Sequence, residues 1–140
     1  MSFWILDTDH VSLFQHRHPL VIQRVNAVNS EDIGVTVITV EEQMRGWLNA
    51  IRQSSRPDRL LWAYIGLRTG VEFFNGVNLL DFDRDAYDCY AELIRQRIRI
   101  GTQDLRIAAI ALSRNAILVT RNRRDFARVP DLRLDDWTIA

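Results

Sequence analysis

Acidic and amide side chains occur at four widely separated places in this sequence, each beside the end of a predicted strand or the start of a predicted helix. The residues are Asp7, Glu42, Asp104, and the pair Asn122 and Asp125. If the fold brings them together they repel each other, because two unit charges about 4 Å apart cost about 4 kcal/mol at an effective dielectric constant of 20. A divalent cation relieves that repulsion. Oxygen ligands without clustered cysteine or histidine favour Mg²⁺ or Mn²⁺ over zinc, and such ions usually act on phosphate groups.

Each of these residues also has a purely structural interpretation. Thr39 and Glu42 have the spacing of a capping box, which closes the first turn of a helix. Asp104 lies where a negative charge favours the helix dipole. Taken singly, every acid is explained by such a role, and only convergence in the fold would distinguish a chemical site. The other candidate caps are Asp7 or Asp9, and Asn122 with Asp125.

Short apolar runs alternate with helical patterns along the chain. The runs have the length and composition of strands that are buried on both faces. This alternation predicts an α/β fold, with three α/β/α layers around a central, mostly parallel sheet of four or five strands, in a single domain over residues 1–140. The predicted strands are Phe3–Leu6, Ile33–Ile38, Val77–Leu80 and Ala116–Thr120, with a possible edge strand near Leu132–Leu134.

The predicted order of strands and helices places the acids at one edge of the sheet. In an open parallel sheet the carboxyl ends of the strands share an edge, and ligands bind there. Asp7 and Asn122 follow strands directly, whereas Glu42 and Asp104 lie in the first turns of helices that begin at the same edge. A helical-wheel projection turns Glu42 away from the apolar stripe of its helix, towards either a cleft or solvent.

The basic residues are all arginine. The 18 basic and 18 acidic residues give no net charge, which argues against binding nucleic acid through bulk charge alone. The missing lysine excludes Walker-A NTPases, Schiff-base enzymes and phosphotransfer domains that need it. The segment Asp7-Thr8-Asp9-x-Val11 also looks like the haloacid dehalogenase signature, but that family stabilises its phosphoryl group with a lysine.

The cysteine content and the apolar runs indicate a cellular compartment. Cys89 is the only cysteine, so an internal disulfide and a zinc site of paired cysteines are excluded. The N-terminal residues lack the basic start and long apolar run of a signal peptide. No apolar run reaches the roughly 18 residues of a membrane span. We expect a cytoplasmic protein that does not bind a membrane.

Four motifs, in this order and at this spacing, resemble those of the PIN-domain ribonucleases, and among them the VapC-type toxins of toxin–antitoxin modules. The resemblance covers almost the whole chain and implies a metal-dependent RNA endonuclease that acts as a toxin. The alternative is a PIN-like module that binds RNA or protein with little or no catalysis. The motifs are Ile5–Asp9, Thr39-x-x-Glu42-x-x-x-Gly46, Gly101–Leu112 and Leu118–Phe126.

The resemblance implies a role for each acid. Asp7 and Asp104 would be the principal ligands of Mg²⁺ or Mn²⁺, and Glu42 would be the third acid. Asn122 and Asp125 would complete the catalytic pocket. Many relatives carry aspartate where Asn122 stands. The amide still offers an oxygen but removes a charge, which argues against a second metal site. The distance to Gly46 favours Glu42 over its neighbour Glu41.

Arginines and aromatic residues are the candidates for contacts with partners. An acidic pocket repels RNA, so arginines near it would hold the phosphates, unless they are solvated or paired with acids. These candidates are Arg45, Arg121, Arg123 and Arg124, with Arg97 and Arg99 as further possibilities.

The resemblance also implies an antitoxin partner and a homodimer. Five aromatic residues on two consecutive helices either pack in the core or form a groove for an amphipathic antitoxin helix. The three histidines are expected on the surface or at helix caps. The aromatic residues are Trp47, Trp62, Tyr64, Phe73 and Phe74, and the histidines are His10, His16 and His18.

Overall fold

The central sheet has five strands, all parallel, in the order β3-β2-β1-β4-β5. The computed structural model describes residues 1–140. All five strands are short, and the predicted third strand is reduced to its last two residues. The strands are β1 (Trp4–Leu6), β2 (Ile33–Thr36), β3 (Leu79–Leu80), β4 (Ile117–Val119) and β5 (Arg133–Asp135).

Seven α-helices and one 3-10 turn, Ser30–Asp32, connect the strands. With the sheet they form the predicted α/β fold of three layers, which is confirmed. No helix combines the length and apolar character that crossing a bilayer requires. The helices are α1 (Thr8–Gln15), α2 (Pro19–Asn26), α3 (Val37–Gln53), α4 (Pro57–Asn75), α5 (Arg84–Arg95), α6 (Thr102–Ser113) and α7 (Arg123–Phe126).

Alternate residues of β1 and β4 pack in two separate hydrophobic cores, one on each face of the sheet. Ile5 and Leu118 belong to the larger core, where they join the fully buried stretch Ile107–Ala111 of α6. Leu6 and Val119 face the other side of the sheet and pack with residues of α1, α2 and α4. Because successive side chains of a strand point to opposite faces, strands this apolar must be covered on both sides.

The direction in which the chain adds strands to the sheet reverses between β1 and β4, although all the strands run parallel. From β1 the chain proceeds to β2 and β3 on one side, and it later returns to β4 and β5 on the other. Leu6 is in register with both Val35 and Val119, so the carboxyl ends of these strands are level. Such a reversal opens a crevice at the carboxyl ends of the two strands, which is where open α/β sheets bind ligands.

The start of α3 corrects one prediction. The predicted strand Ile33–Ile38 ends at Thr36, because the Thr36 hydroxyl accepts a hydrogen bond from the Thr39 backbone N–H at 3.3 Å and so caps α3. The predicted capping box of Thr39 and Glu42 is therefore wrong. The helix begins one turn earlier than expected, which leaves the Glu42 side chain available for other contacts.

A glycine of α4 allows close packing against α3. A Cβ built on Gly66 would lie 2.2 Å from Cζ3 of the Trp47 ring, whereas one built on Gly46 meets nothing within 4 Å. Neither residue has a positive φ, so backbone strain plays no part. Gly66 is therefore required by the indole that packs over it.

Substitution of these two glycines should have opposite effects on stability. We expect Gly66→Ala to lower the free energy of unfolding by about 1–3 kcal/mol, because the Trp47 ring must move. Gly46→Ala should raise it by about 0.5–1 kcal/mol, because alanine loses less backbone entropy in a helix. Urea titrations of both variants measure this. Equal changes in both would contradict the packing described.

Candidate active site

Four carboxylates line one pocket at the crevice between β1 and β4, and they come from three distant parts of the chain. Asp7, Glu42 and Asp104 lie on its wall, so the structure brings the two predicted metal ligands to the same place. Asp125 does not line the pocket, although its charge acts on Asp104. The pocket has a volume of about 400 Å³ and is lined by Asp7, Thr8, Asp9, Glu42, Asp104, Arg121, Asn122 and Phe126.

Asp7 is held at the junction between β1 and α1. Its backbone N–H donates to the Val119 carbonyl at 3.0 Å, which fixes it beside the end of β4. Its side chain caps α1, since Oδ1 accepts from the His10 backbone N–H at 2.8 Å. The residue is only 6% exposed. Of the two predicted caps for this helix, Asp7 is the one that serves, and Asp9 points elsewhere.

Glu42 is oriented by a threonine that the sequence analysis did not single out. The Thr8 hydroxyl donates to Glu42 Oε1 at 2.6 Å, and it lies 2.9 Å from the hydroxyl of the buried Thr39. Because the Thr8 proton is used for Glu42, Thr39 is the donor of the second bond. A chain of hydroxyls thus runs from the core to the carboxylate and limits its motion. The wheel projection left solvent as an alternative for Glu42, and the structure places it in the cleft.

Asp104 experiences the strongest effect of the shared pocket. Its pKa is raised from 3.8 to about 6, first by partial burial and then by the negative charges of Glu42, Asp7 and Asp125. Both causes disfavour the ionised carboxylate. Near neutral pH the pocket therefore concentrates negative charge that a bound cation would neutralise.

Asn122 and Asp125 form the predicted cap at α7. Asn122 Oδ1 accepts from the Asp125 backbone N–H at 3.3 Å, and its amide donates to Asp125 Oδ2 at 3.0 Å. The Asn122 backbone N–H donates to the hydroxyl of the buried Thr120 at 2.9 Å. These bonds hold the loop after β4 against the pocket while using part of the ligand capacity of both side chains.

The donor set fits a hard divalent cation. The residues that line the pocket include four carboxylates and one amide, whose oxygens suit Mg²⁺ and Mn²⁺. A second set is formed by Asp7, Asp9 and His10, whose ligand atoms lie within 4.8 Å of one another. That second set is weaker, because Asp9 binds Arg121 through both oxygens and His10 Nδ1 already contacts Asp7. Neither Asp7 nor Asp104, the two predicted ligands, is paired with an arginine.

Comparison with known families identifies the domain that carries this pocket. Residues 5–132 match the PIN domain. The chain belongs to the PIN-domain family. The match includes all four motifs found in the sequence, together with all of β2, β3 and β4 and most of β1.

Curated relatives of this PIN domain match it from end to end. The tRNA(fMet)-specific endonuclease VapC of Salmonella typhimurium is 30% identical over 141 residues, which covers 98% of this chain and 99% of that protein. Ribonuclease VapC1 of Haemophilus influenzae strain R2866 is 31% identical over 140 residues, covering 96% and 98%. These matches place the chain among the VapC-type PIN domains, as its motifs predicted.

Solved structures show the same fold. VapBC-1 from nontypeable Haemophilus influenzae superposes with a TM-score of 0.78 at 29% identity, covering 98% of this chain and 99% of that one. DNA-bound VapBC from Salmonella typhimurium gives a TM-score of 0.76 at 29% identity with the same coverage. Both structures are of VapBC proteins.

Two of the four predicted RNA-binding arginines of the PIN domain are paired with acids. Arg121 donates to both oxygens of Asp9 at 2.7 and 2.9 Å, at the rim of the pocket. Arg45 donates to Glu41 at 2.6 Å on the exposed side of α3. Arg123 and Arg124 are exposed and form no ion pair within 4 Å. The further candidates, Arg97 and Arg99, are exposed but do not line the pocket.

The unpaired arginines lead to a prediction about RNA affinity. We expect Arg123→Gln with Arg124→Gln to weaken RNA binding and to reduce the salt slope of log K by about 0.7 for each phosphate that the variant no longer binds. The catalytic rate at saturating RNA should be unchanged, because neither residue lines the pocket. Fluorescence anisotropy across a salt series measures the slope. Arg68→Gln, on exposed α4, is the control, and an unchanged slope in the double variant would contradict the prediction.

The five aromatic residues divide between core and surface. Phe74 is 8% exposed and packs in the smaller core, whereas Tyr64 is 54% exposed. Trp47, Trp62 and Phe73 line a groove of about 720 Å³ between α1, α3 and α4, which we call the apolar groove. Core packing therefore holds for Phe74, and the binding of an antitoxin helix by the three groove residues stays a prediction.

The histidines correct a further prediction. His18 caps α2 by accepting from the Val21 backbone N–H at 3.4 Å, as predicted, and His16 is exposed. His10, however, is fully buried, so its predicted place at the surface or at a cap is wrong. Its position three residues after Asp7, on the first turn of a helix that packs on the sheet, was the signal that could have indicated burial.

Proposed function

We propose that this PIN domain is an Mg²⁺- or Mn²⁺-dependent endoribonuclease that serves as the toxin of a toxin–antitoxin pair, with residues 1–140 forming one catalytic domain. The observation that carries the proposal is the shared pocket of Asp7, Glu42 and Asp104, in which burial and then mutual repulsion raise the pKa of Asp104 to about 6. Relatives named as ribonucleases match the chain over its full length.

Asp7 and Asp104 would hold the cation. When bound, a divalent ion supplies positive charge to a phosphate oxygen and lowers the pKa of a water molecule. Glu42, held by Thr8, would accept the proton of the attacking water. Asn122, in the loop after β4, would complete the catalytic pocket. Hydrolysis with the water attacking phosphorus would leave a 3′-hydroxyl and a 5′-phosphate.

RNA is the proposed substrate, and transfer RNA is the first class to test. The Salmonella relative is named as specific for tRNA(fMet), and it aligns with 98% of this chain. Arg123 and Arg124 are free to bind phosphates beside the pocket. Arg121 would join them where an RNA phosphate replaces Asp9 as its partner, because both offer a pair of anionic oxygens to the guanidinium.

A cleavage assay tests the proposal directly. The purified chain is incubated with total RNA and with a tRNA(fMet) transcript, in Mg²⁺, in Mn²⁺ and in EDTA, and the new ends are mapped. We expect discrete cuts with 5′-phosphates in either metal and none in EDTA. Cleavage that persists in EDTA, or no cleavage in any metal, would contradict the proposal. RNA binding without cleavage would favour a binding module.

The proposed partner is an antitoxin that lays an amphipathic helix in the apolar groove. The groove is lined by aromatic rings, and Ile65 at its side is 66% exposed, a large apolar surface for a protein without a partner. Structural relatives of the chain are VapBC proteins. We also propose that the protein acts in the cytoplasm and forms a homodimer.

A charge placed in the groove should disrupt this association. We expect Ile65→Asp to weaken binding of the antitoxin encoded beside this chain by at least about tenfold, since apolar anchors dominate such interfaces. RNA cleavage by the toxin alone should be unchanged. Ile94→Asp on α5, where the residue is 51% exposed and outside the groove, is the matched control. If calorimetry gives the two variants equal affinity for the antitoxin, the antitoxin binds outside the apolar groove.

A further inference from the structure

A buried histidine connects the C-terminal segment of the chain to Asp7. His10 has no exposed surface. Its Nδ1 lies 3.2 Å from Asp7 Oδ1, and the backbone N–H of Trp137 donates to its Nε2 over 3.3 Å. Burying an imidazole costs desolvation unless its nitrogens are hydrogen-bonded, and here both are.

The two contacts determine which ring nitrogen carries the proton. A backbone N–H can only donate, so Nε2 accepts from Trp137 and the proton lies on Nδ1. Asp136 Oδ1 is 3.7 Å from Nε2, too far for a hydrogen bond, and it accepts instead from the backbone N–H and hydroxyl of Thr138 at 2.8 and 2.6 Å. His10 therefore donates to Asp7.

The amide that orients His10 is itself held in place. The Trp137 side chain is 1% exposed and packs against Trp4, with ring centroids 6.2 Å apart. Its indole N–H donates to Asp135 Oδ2 at 3.0 Å. Core packing thus fixes the Trp137 backbone, which in turn fixes the plane of the imidazole.

The two oxygens of Asp7 have different surroundings. Oδ1 accepts from the backbone N–H of His10 at 2.8 Å and from its ring. Oδ2 makes no hydrogen bond, and Asp7 lines the acid pocket, the pocket that it shares with Glu42 and Asp104. One oxygen is held by the protein, and the other is left to a ligand.

We propose that His10 is a positioning residue that holds Asp7 Oδ1 so that Oδ2 is presented to the divalent cation. This inference rests on the proposed function, and it adds a role for a residue outside the acid pocket. Groups that hold a ligand in this way typically change metal affinity 10–100-fold when they are removed. Because the Trp137 N–H orients His10, the packing of Trp137 also helps to hold Asp7 in place.

Two amide variants separate positioning from packing. In His10→Asn the amide N–H can take the place of Nδ1–H and donate to Asp7. In His10→Gln the amide reaches the position of Nε2 and meets the Trp137 N–H, which leaves Asp7 with one donor fewer. Both variants replace a buried ring with a smaller polar group, so their losses of packing are similar. Mn²⁺ affinity of the full chain is measured by calorimetry, together with melting temperature without metal.

We expect His10→Asn to bind Mn²⁺ within about threefold of the wild type and His10→Gln to bind at least about tenfold more weakly. At limiting Mn²⁺ the Gln variant should cleave RNA slowly, and saturating Mn²⁺ should restore its rate. Equal Mn²⁺ affinity of the two variants would overturn the role of His10 alone. Absence of Mn²⁺ binding by the wild type would overturn the proposed function as well.

A further test uses the wild-type protein, so it does not depend on whether a variant folds. Nitrogen-15 NMR of the histidine rings in Mg²⁺ reports which nitrogen of His10 is protonated. A proton on Nδ1 is expected, and a proton on Nε2 would overturn the inference, because His10 could not then donate to Asp7.

Discussion

Asp104→Asn should abolish RNA cleavage and at the same time stabilise the metal-free protein. We expect cleavage in Mg²⁺ to fall by at least about 100-fold, because the variant lacks the charge of a proposed ligand of the cation. The same carboxylate is repelled by Glu42 and Asp7 and is partly buried, so its removal relieves an unfavourable charge. Reduced activity together with greater stability is characteristic of a substitution at a functional site.

The stabilisation should depend on pH in a defined direction. The pKa of Asp104 is about 6 in the folded protein, against an ordinary value of 3.8, so the folded form binds this proton more tightly. The contribution of this bound proton to the free energy of unfolding is present below pH 3.8 and is lost as the pH rises through about 6. A shift of about two units corresponds to about 3 kcal/mol, which solvent screening of this half-buried group reduces to about 1 kcal/mol.

Thermal melts in EDTA measure this effect. At pH 8 the variant should melt about 2–4 °C above the wild type, and at pH 4 most of that difference should be lost. Adding Mn²⁺ should raise the melting temperature of the wild type and leave that of the variant nearly unchanged. Glu31→Gln, at an exposed residue outside the pocket, is the control. A variant that is less stable than the wild type at pH 8 would show that the acids do not repel each other.

Glu42→Gln should lower the rate of cleavage by about 10²–10⁴-fold, the range that proton transfer by a positioned side chain provides. Glutamine still accepts from Thr8, so the side chain keeps its place and only the proton acceptor is removed. Mn²⁺ affinity should fall far less than in Asp104→Asn. Single-turnover rates at saturating RNA and metal separate the two effects.

Glu41→Gln is a matched control for this experiment. Glu41 is adjacent in sequence but exposed, and it pairs with Arg45 and with the Gln103 amide at 2.6 and 2.9 Å. We expect its rate to stay within about threefold of the wild type. A large decrease in Glu41→Gln with little change in Glu42→Gln would reverse the assignment of the third acid.

Local sequence was sufficient for most of the elements and for Asp7, Glu42 and Asp104, which the fold brings to one pocket. The alternation of apolar runs with helical patterns predicted a mostly parallel sheet with helices on both faces, because buried parallel strands and amphipathic helices leave distinct patterns. Errors occurred at boundaries. Thr36 rather than Thr39 caps α3, since several hydroxyls near a helix start are chemically equivalent until the packing of the strand selects one.

Contacts between distant residues could not be predicted in the same way. Nothing in the sequence pairs Thr8 with Glu42, Asp9 with Arg121, or His10 with Trp137, which is 127 positions away. Such contacts depend on the relative placement of helices after the sheet has formed. For the same reason the predicted RNA-binding role of Arg121 has a competitor, Asp9, that only the structure reveals.

The sequence by itself determined the chemistry available to this protein: oxygen ligands, arginine as the only basic residue, and parallel strands whose ends must share an edge. Tertiary structure decided which oxygens are free. Asp7 Oδ1 is used by the helix and by His10, Asp125 is tied to Asn122, and Asp104 is left among like charges. Hydrogen bonds and burial are properties of neighbours in space, and a linear pattern specifies those only through the fold.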